Sequence, residues 1–335
     1  MTGANGSEPL LEVEDLVVRY PIVRGLTGAI ARRPQLAVHA VEGVSFAIGR
    51  GEILALVGES GCGKTTTAQT VLRLLDPLSG SIRFDGQDIT RLQTRALRPL
   101  RRRMQIVYQD PYESLDPRLR VRATVEEPLI IHRIGSKGER AARVRDALER
   151  VELSPPELFL DRYSHELSGG QRQRVAIAAA LELVPHLLVA DEPVSMLDVS
   201  VRAGVLELLD ELRRAGLSIL MITHDLSTAA RFADRVAVMY LGRIVEEGPA
   251  TDAVRNPQHP YTKALLSVVP PRDPRLRRRP EILQGEAPDA VHIPAGCRFH
   301  PRCPIAVDRC RDVDPELERP AGSTSPHHRA ACILV

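Results

Sequence analysis

The strongest structural signal in this chain is the segment Gly58-Glu59-Ser60-Gly61-Cys62-Gly63-Lys64-Thr65. It matches the phosphate-binding pattern G-x-x-x-x-G-K-[ST], which is found between a strand and a helix. Residues 52–57 before it are apolar after Glu52 and predict a buried strand, and residues 65–75 after it predict a helix. The glycines allow backbone N–H groups to turn inward around phosphates, and the N-terminus of the following helix favours anions. The segment therefore predicts a nucleoside-triphosphate site in an α/β sheet.

Individual residues of this phosphate loop have expected roles of their own. Lys64 would reach the β- and γ-phosphates, the Thr65 hydroxyl would hold Mg²⁺, and Thr66 beside it belongs to the same nucleotide site. Cys62 is expected to be a small buried filler, with a redox switch as the alternative. A glycine-rich turn with a chance lysine is disfavoured, because only 3 of the 45 basic residues are lysines.

The composition limits the class of protein. The chain has 335 residues, of which 43% are hydrophobic and 26% are charged, the balance of an ordinary globular protein. A net charge of +2 is too small to indicate a nucleic-acid partner. No apolar run of about 18 residues is present, and residues 1–9 lack a secretory signal. We therefore expect a cytosolic protein that does not itself cross a membrane.

The chain divides into two predicted regions. From residue 8 to 268, short apolar strands alternate with helical segments, which predicts an α/β nucleotide-binding domain. Residues 111–166 change to charged, helix-favouring sequence, with a helix over 138–151, and predict a helical insert. Residues 269–335 start with a proline- and arginine-rich linker and predict a small separate extension. The other predicted buried strands cover residues 105–108, 187–190, 218–223 and 237–240.

Two carboxylates end one of these strands, in Leu187-Leu188-Val189-Ala190-Asp191-Glu192-Pro193. The C-terminal ends of parallel strands are where open α/β sheets bind nucleotides. Asp191 would support Mg²⁺, and Glu192 would polarise the attacking water as general base. Taken alone, an acidic strand end is about as compatible with helix capping.

The segment Leu167-Ser168-Gly169-Gly170-Gln171, paired with the phosphate loop, resembles the signature of the ABC ATPase family over roughly residues 10–268. A turn before a helix would explain it if it stood alone. The resemblance implies a P-loop NTPase fold of ABC type, with a RecA-like core, an antiparallel β subdomain and a helical subdomain. In that family two nucleotide-binding domains pack head to tail. Four signature residues would then contact ATP bound to the partner: Ser168, Gly169, Gly170 and Gln171.

Four further positions match residues of that family. Gln109 matches the glutamine that contacts Mg²⁺ and water and links the core to the helical insert. Asp198 matches the acidic residue of a loop that crosses the dimer interface. His224 matches the histidine that contacts the γ-phosphate and orients Glu192. Tyr20 is the candidate for stacking on adenine, with an ordinary core or surface tyrosine as the equal alternative.

Other segments resemble the oligopeptide/dipeptide/nickel importer group, namely residues 57–64, 109–111, 259–266 and 296–304. The resemblance implies an ATP-hydrolysing subunit at the cytoplasmic face of the membrane. Its partners would be a second ABC ATPase, two transmembrane permeases and an extracytoplasmic substrate-binding protein. Oligopeptides or dipeptides are the expected cargo. Oligosaccharides, to which Met196 in place of the usual alanine points, or nickel are alternatives, as is a soluble non-transport enzyme complex.

Four of the five cysteines lie in the extension: Cys297, Cys303, Cys310 and Cys332. Because disulfides are disfavoured in the cytosol, metal or cluster ligation is the sharper interpretation. The spacing matches neither the usual zinc pairs nor ferredoxin runs. The resemblance adds that some members hold a [4Fe–4S] cluster in this extension. Unligated cysteines remain an alternative, as does zinc with His300 or His327.

Overall fold

The protein folds into two β-sheets with helices packed around them. The computed structural model describes residues 8–22, 36–268, 283, 285, 288–321 and 325–335. None of the helices within those ranges is both long and apolar enough to cross a membrane. In chain order the strands are β1 (Leu11–Pro21), β2 (Ala37–Ile48), β3 (Ile53–Val57), β4 (Ser79–Phe84), β5 (Gln87–Asp88), β6 (Met104–Val107), β7 (Leu187–Asp191), β8 (Ser218–Thr223), β9 (Arg235–Tyr240), β10 (Arg243–Pro249) and β11 (Arg329–Ala330).

The helices fall between these strands in the sequence. Short 3₁₀ turns at Pro156–Leu158, Ser164–Glu166, His300–Arg302 and Asp308–Arg311 complete the regular structure of the described residues. The helices are α1 (Lys64–Val71), α2 (Thr94–Arg101), α3 (Pro111–Ser114), α4 (Val121–Ile131), α5 (Lys137–Arg150), α6 (Gly169–Leu181), α7 (Val199–Arg214), α8 (Leu226–Phe232), α9 (Ala250–Arg255) and α10 (Pro260–Ser267).

The seven-stranded sheet has the order β11-β10-β9-β3-β8-β7-β6. The strands β9, β3, β8, β7 and β6 are parallel to one another. At one edge of the sheet, β10 pairs antiparallel with β9, and β11 pairs antiparallel with β10. The second sheet is antiparallel throughout, with the order β2-β1-β4-β5. Because parallel strands end at the same edge, the loops after β3, β6, β7 and β8 meet there.

Two hydrophobic cores lie on the two faces of the main sheet. Strand β3 shows why, since its alternating side chains point to opposite faces. Ile53, Ala55 and Val57 pack in the core formed with the helical side of the protein. Leu54 and Leu56 pack in the core shared with the antiparallel sheet. A strand buried on both faces is apolar throughout, which explains why it was easy to predict.

Within residues 111–166 the structure has helices α3, α4 and α5, which pack against α6. Helix α5 starts at a capping box in which Ser136 and Glu139 bond each other's backbone N–H groups. The predicted helix after the phosphate loop is shorter than expected and ends at Val71. It ends because Arg73 has a left-handed backbone (φ 55°) and the Leu74 N–H returns to the Gln69 carbonyl oxygen at 2.9 Å.

The extension joins the main sheet and is not the separate module expected from the sequence. Strand β11 pairs antiparallel with β10. The reason is charge: the β10 side chains Glu246 and Glu247 are almost completely buried and need partners. The extension supplies two of them, with His328 Nε2 2.7 Å from Glu246 and Arg329 Nη2 2.6 Å from Glu247. The arginines of the predicted linker lie outside the described residues, and the boundary at 268/269 stays a prediction.

Two glycines of the helices allow a stability prediction. A Cβ on Gly170 would stand 2.3 Å from Val201 Cγ1, so Gly170→Ala has to push α6 away from α7. We expect it to lower the free energy of unfolding by about 1–3 kcal/mol. Gly138 in α5 has no atom within 4 Å of its would-be Cβ, so Gly138→Ala should raise stability slightly. Thermal melting followed by circular dichroism compares the two variants. Equal melting temperatures would mean that the α6–α7 contact is looser than described.

Candidate nucleotide site

The phosphate loop is held between two neighbouring strands. Gly63 has φ 107°, and a Cβ there would lie 2.1 Å from the Ala40 carbonyl oxygen of β2. A Cβ on Gly58 would lie 2.2 Å from the Met239 carbonyl oxygen of β9. Both positions therefore exclude any side chain, and the glycines bring the backbone of the loop against the backbone of its neighbours.

Lys64 lies inside the loop with only 5% of its surface exposed. Its ammonium donates to the carbonyl oxygens of Gly58 at 2.7 Å and Glu59 at 2.9 Å. Ser60 and Gly61, at the tip of the loop, are exposed, and Thr66 in the first turn of α1 is half-buried. Lys64 is thus a buried cation beside a helix N-terminus. Phosphate oxygens can replace the carbonyl oxygens that it now contacts, so the position is well suited to bind phosphate.

Cys62 has the position of a packing residue. It is 5% exposed, and burial raises the pKa of its thiol in spite of the nearby Lys64. A thiol that stays protonated is a poor nucleophile. The buried position therefore favours the filler over the redox switch.

Asp191 and Thr65 meet beside the loop. The Thr65 hydroxyl donates to Asp191 Oδ1 at 3.4 Å, and Asp191 as a residue is 3% exposed. Burial raises the pKa of Asp191, and the Thr65 hydrogen bond opposes this effect. A hydroxyl and a carboxylate side by side are oxygen ligands of the kind that Mg²⁺ takes in nucleotide sites.

Two side chains, which follow the ends of β6 and β8, converge on one carboxylate oxygen of Glu192, which follows the end of β7. Gln109 Nε2 donates to Glu192 Oε2 at 3.1 Å, and His224 Nδ1 lies 3.1 Å from the same oxygen. Glu192 has a left-handed backbone with φ 45°, which is strained for a residue with a side chain. The His224 side chain is 60% exposed, so it is not a core histidine. Asp191 thus contacts the end of the phosphate loop, and Glu192 contacts the glutamine and the histidine. Neither carboxylate caps a described helix.

The Ser168–Gln171 turn and Asp198 form a second group. Ser168 and Gln171 form a capping box at the start of α6. Gly170 packs against α7, whose N-cap is Asp198. The Asp198 side chain is exposed and makes no capping hydrogen bond. Among the hydrogen bonds of the described ranges, none joins this group to the phosphate loop of the same chain.

Tyr20 lies at the outer end of β1, opposite Val38 of β2, and is 40% exposed. Strand β2 then reaches the loop two residues later, where the Ala40 carbonyl adjoins Gly63. Tyr20 is therefore at the side of the loop and not in the core.

The sequence missed the contacts that Glu59 makes. Both carboxylate oxygens accept hydrogen bonds from Arg302 of the extension, at 2.8 and 3.2 Å. Its backbone N–H donates to the Tyr261 hydroxyl of α10 at 2.9 Å. The only signal in the sequence is an acidic residue inside a loop that binds anions, which requires a cation partner.

The four cysteines of the extension line one cavity together with Phe299, His300 and Ile333. All are free thiols. Burial raises the pKa of Cys297 to about 11 and also raises the pKa of Cys303 and Cys332. Within the described ranges, no three His, Cys, Asp or Glu side chains stand in an arrangement ready for a metal ion.

His259, the N-cap of α10, leads to a pH prediction. Its Nδ1 accepts from the Tyr261 N–H at 3.1 Å, and burial lowers its pKa to about 4, against the opposing charge of Glu246. The unfolded chain, with a histidine pKa of about 6.5, binds a proton that the folded protein excludes. Stability should therefore fall as the pH drops from about 6.5 towards 4, by about 2 kcal/mol at pH ~5. His259→Asn keeps a cap without titrating, so its melting temperature should fall less between about pH 7.5 and 5; a parallel fall refutes the assignment.

Comparison with known proteins agrees with this geometry. The model of the family "ABC transporter" matches residues 41–195, and that of the "Oligopeptide/dipeptide transporter, C-terminal region" matches residues 245–310. The chain is 46% identical over 338 residues to the oligopeptide transport ATP-binding protein AppF of Bacillus subtilis, covering 100% of this chain and 99% of AppF. It is 48% identical over 314 residues to the dipeptide transport ATP-binding protein DppF of Haemophilus influenzae, covering 93% of each.

A solved structure shows the same fold. The dimeric ATP-binding cassette MJ0796, bound to ADP and Pi, matches with a TM-score of 0.62 and 29% identity over 72% of this chain and 98% of that one. Fold, loop geometry and relatives agree. The chain belongs to the ABC transporter family, as an ATP-hydrolysing subunit of the group with the oligopeptide/dipeptide transporter C-terminal region.

Proposed function

We propose that this chain powers the import of oligopeptides or dipeptides by binding and hydrolysing ATP. The observation that carries the catalytic part is the convergence of Gln109 and His224 on Glu192 beside the phosphate loop. The cargo class is supported by the names of AppF and DppF and by the match to their C-terminal region. In this proposal residues 8–268 form the nucleotide-binding domain and 269–335 the extension.

The proposed chemistry follows from the positions of the side chains. The loop from Gly58 to Thr66 cradles the phosphates, and Lys64 exchanges carbonyl oxygens for phosphate oxygens. Thr65, Asp191 and Gln109 would supply oxygen atoms to hold Mg²⁺, whose charge would offset that of the phosphates. Glu192 takes a proton from the attacking water. His224 and Gln109 hold its carboxylate in place, and the exposed His224 side chain would be accessible to a γ-phosphate.

A second ATPase subunit would complete each site. The Ser168–Gln171 turn presents backbone N–H groups at the start of α6, and such a helix start suits a phosphate. Since this group makes no hydrogen bond to its own phosphate loop among the described residues, we propose that it serves the loop of a partner. Asp198, exposed and without a capping bond, would lie at the same interface. Tyr20 is proposed to stack on adenine.

The remaining partners are proposed from the importer class. Two transmembrane permeases would receive the motion of the helical insert, at the cytoplasmic face of the membrane. A substrate-binding protein outside the membrane would choose the cargo. The helical insert is suited to transmit motion, because Gln109 connects Glu192 with the segment that enters α3. No nucleic-acid partner is proposed.

A [4Fe–4S] cluster in the extension remains a proposal. Four thiols that line one cavity fit such a cluster in number and in chemistry. As described above, they do not form a ready metal-ion site, so ligation would need the thiols to lose protons and to move together. An anaerobic preparation should contain iron and sulfide and absorb visible light. A colourless preparation without iron would leave unligated thiols, or zinc if zinc is found.

Affinity purification tests the transporter function directly. Tagged Glu192→Gln protein is isolated with ATP from membranes of its own cell, and every co-purifying chain is identified. Two polytopic permeases and a second ATPase are the expected partners, and the binding protein of that system is then screened with peptides, oligosaccharides and nickel. Recovery of soluble enzymes alone, with no protein in the membrane fraction, would overturn the importer and support a soluble complex.

A further inference from the structure

We propose that Arg302 of the extension is a positioning residue for ATP binding, because it neutralises and holds Glu59 within the phosphate loop. The extension then forms part of the nucleotide site, although it lies 243 residues from the loop in sequence. The inference concerns ATP binding alone and holds whatever the cargo is.

Glu59 is attached at each of its polar groups. Arg302 Nη1 and Nη2 donate to its two carboxylate oxygens at 2.8 and 3.2 Å. The Tyr261 hydroxyl accepts from its N–H at 2.9 Å, and its carbonyl oxygen accepts from Lys64 at 2.9 Å. The residue next to Gly58 is therefore fixed by three different elements, and one of its contacts is the lysine of the phosphate site itself.

Arg302 is itself largely buried. Its side chain is 9% exposed, compared with 32% for Glu59, so the pair is buried mainly from the side of the extension. The guanidinium lies 6.0 Å from the centroid of the Tyr240 ring. Tyr240 in turn packs against Tyr261 at 4.7 Å and Phe299 at 5.2 Å between ring centroids. This aromatic cluster joins β9, α10 and the extension in one piece behind the loop.

The charge of Glu59 explains why such a partner is needed. A carboxylate in a loop that binds a triphosphate repels the ligand unless a cation compensates it. Its hydrogen bonds to Arg302 are also the main reason why the pKa of Arg302 is raised. A two-pronged contact between guanidinium and carboxylate further fixes the direction of the side chain. Loss of Arg302 would leave a partly buried negative charge next to the phosphates.

The test compares ATP affinity and turnover in full-length variants, with melting temperatures as a check on folding. Arg302→Met should weaken Mg·ATP binding and raise KM by about tenfold with kcat nearly unchanged, since the Glu192 group is not touched. The KM of Arg302→Lys should lie between the KM of Arg302→Met and that of the unmodified protein, because lysine keeps the charge and loses the two-pronged guanidinium contact. Glu59→Gln combined with Arg302→Met should regain most of the lost affinity, because no unpaired carboxylate remains.

A matched control is Arg329→Met. It removes another ion pair between the extension and the main sheet, that with Glu247, which is not part of the loop. It should leave KM for ATP unchanged. If Arg302→Met binds ATP as tightly as the unmodified protein, or if the double variant stays as weak as Arg302→Met, Arg302 does not position the loop. Should Arg302→Met fail to fold, the double variant and Arg302→Lys decide the question. The proposal is supported if the KM of the double variant is near that of the unmodified protein and the KM of Arg302→Lys is raised. Any other pair of KM values refutes it.

Discussion

Replacing Glu192 by glutamine is expected to lower the rate of ATP hydrolysis by about 10²–10⁴-fold, the usual loss on removal of a general base. Glutamine has the same shape and can still bond to Gln109 and His224, which now share Glu192 Oε2 at 3.1 Å each. It cannot accept a proton from water. ATP should bind with undiminished affinity, and two subunits should stay closed around it, which is visible as an ATP-dependent dimer in size-exclusion chromatography.

Glu149→Gln is a suitable control for this experiment, since Glu149 is exposed on α5 in the helical insert. It should hydrolyse ATP at the rate of the unmodified protein, measured as phosphate release. A Glu192→Gln protein with undiminished turnover would falsify the role of Glu192 as the base and direct attention to another group near His224.

Replacing Lys64 by methionine is expected to weaken ATP binding about a hundredfold or more. The ammonium makes two charge-assisted hydrogen bonds within the loop, and comparable bonds to phosphate oxygens are worth about 1.5–3 kcal/mol each. Methionine has a similar length and no charge, so the buried position stays filled without an unpaired cation. Titration of the purified protein with Mg·ATP in a calorimeter measures the loss.

The matched control is Lys137→Met, at the first position of α5 and outside the phosphate loop. Its affinity for ATP should equal that of the unmodified protein. If both lysine variants bind ATP equally well, Lys64 holds only the loop backbone and not the phosphates.

The parts of the site that could be predicted are those whose residues are adjacent in the sequence. Gly58 to Thr65 contain both the turn and its ligand groups, and apolar strands such as β3 are unambiguous because both of their faces are buried. Asp191 and His224 were predictable because each directly ends or follows such a strand. The resemblance to a known family then supplied their roles.

The parts that could not be predicted depend on contacts between distant residues. Nothing near Glu59 in sequence indicates Arg302, and nothing near Glu246 indicates His328. The left-handed backbones of Arg73, just after α1, and of Glu192 were also hidden, since glycine is the usual signal for such conformations and neither residue is glycine. The extension was expected to be separate because its composition differs from that of the nucleotide-binding domain. In the structure it joins the sheet, where it supplies partners to the buried carboxylates on β10.

The place of β11 also has a consequence for how the protein is made. A ribosome delivers β10 early, and Arg329, the partner of Glu247, follows 82 residues later. During synthesis at about 5–20 residues per second, the edge of β10 stays open and its two acidic side chains lack their later partners for several seconds. Nascent chains should therefore be vulnerable to chaperone capture or proteolysis in this interval. A premature stop between Arg302 and β11 would leave that condition permanent, so cells should degrade such truncated products even though every residue assigned to the ATP site is present.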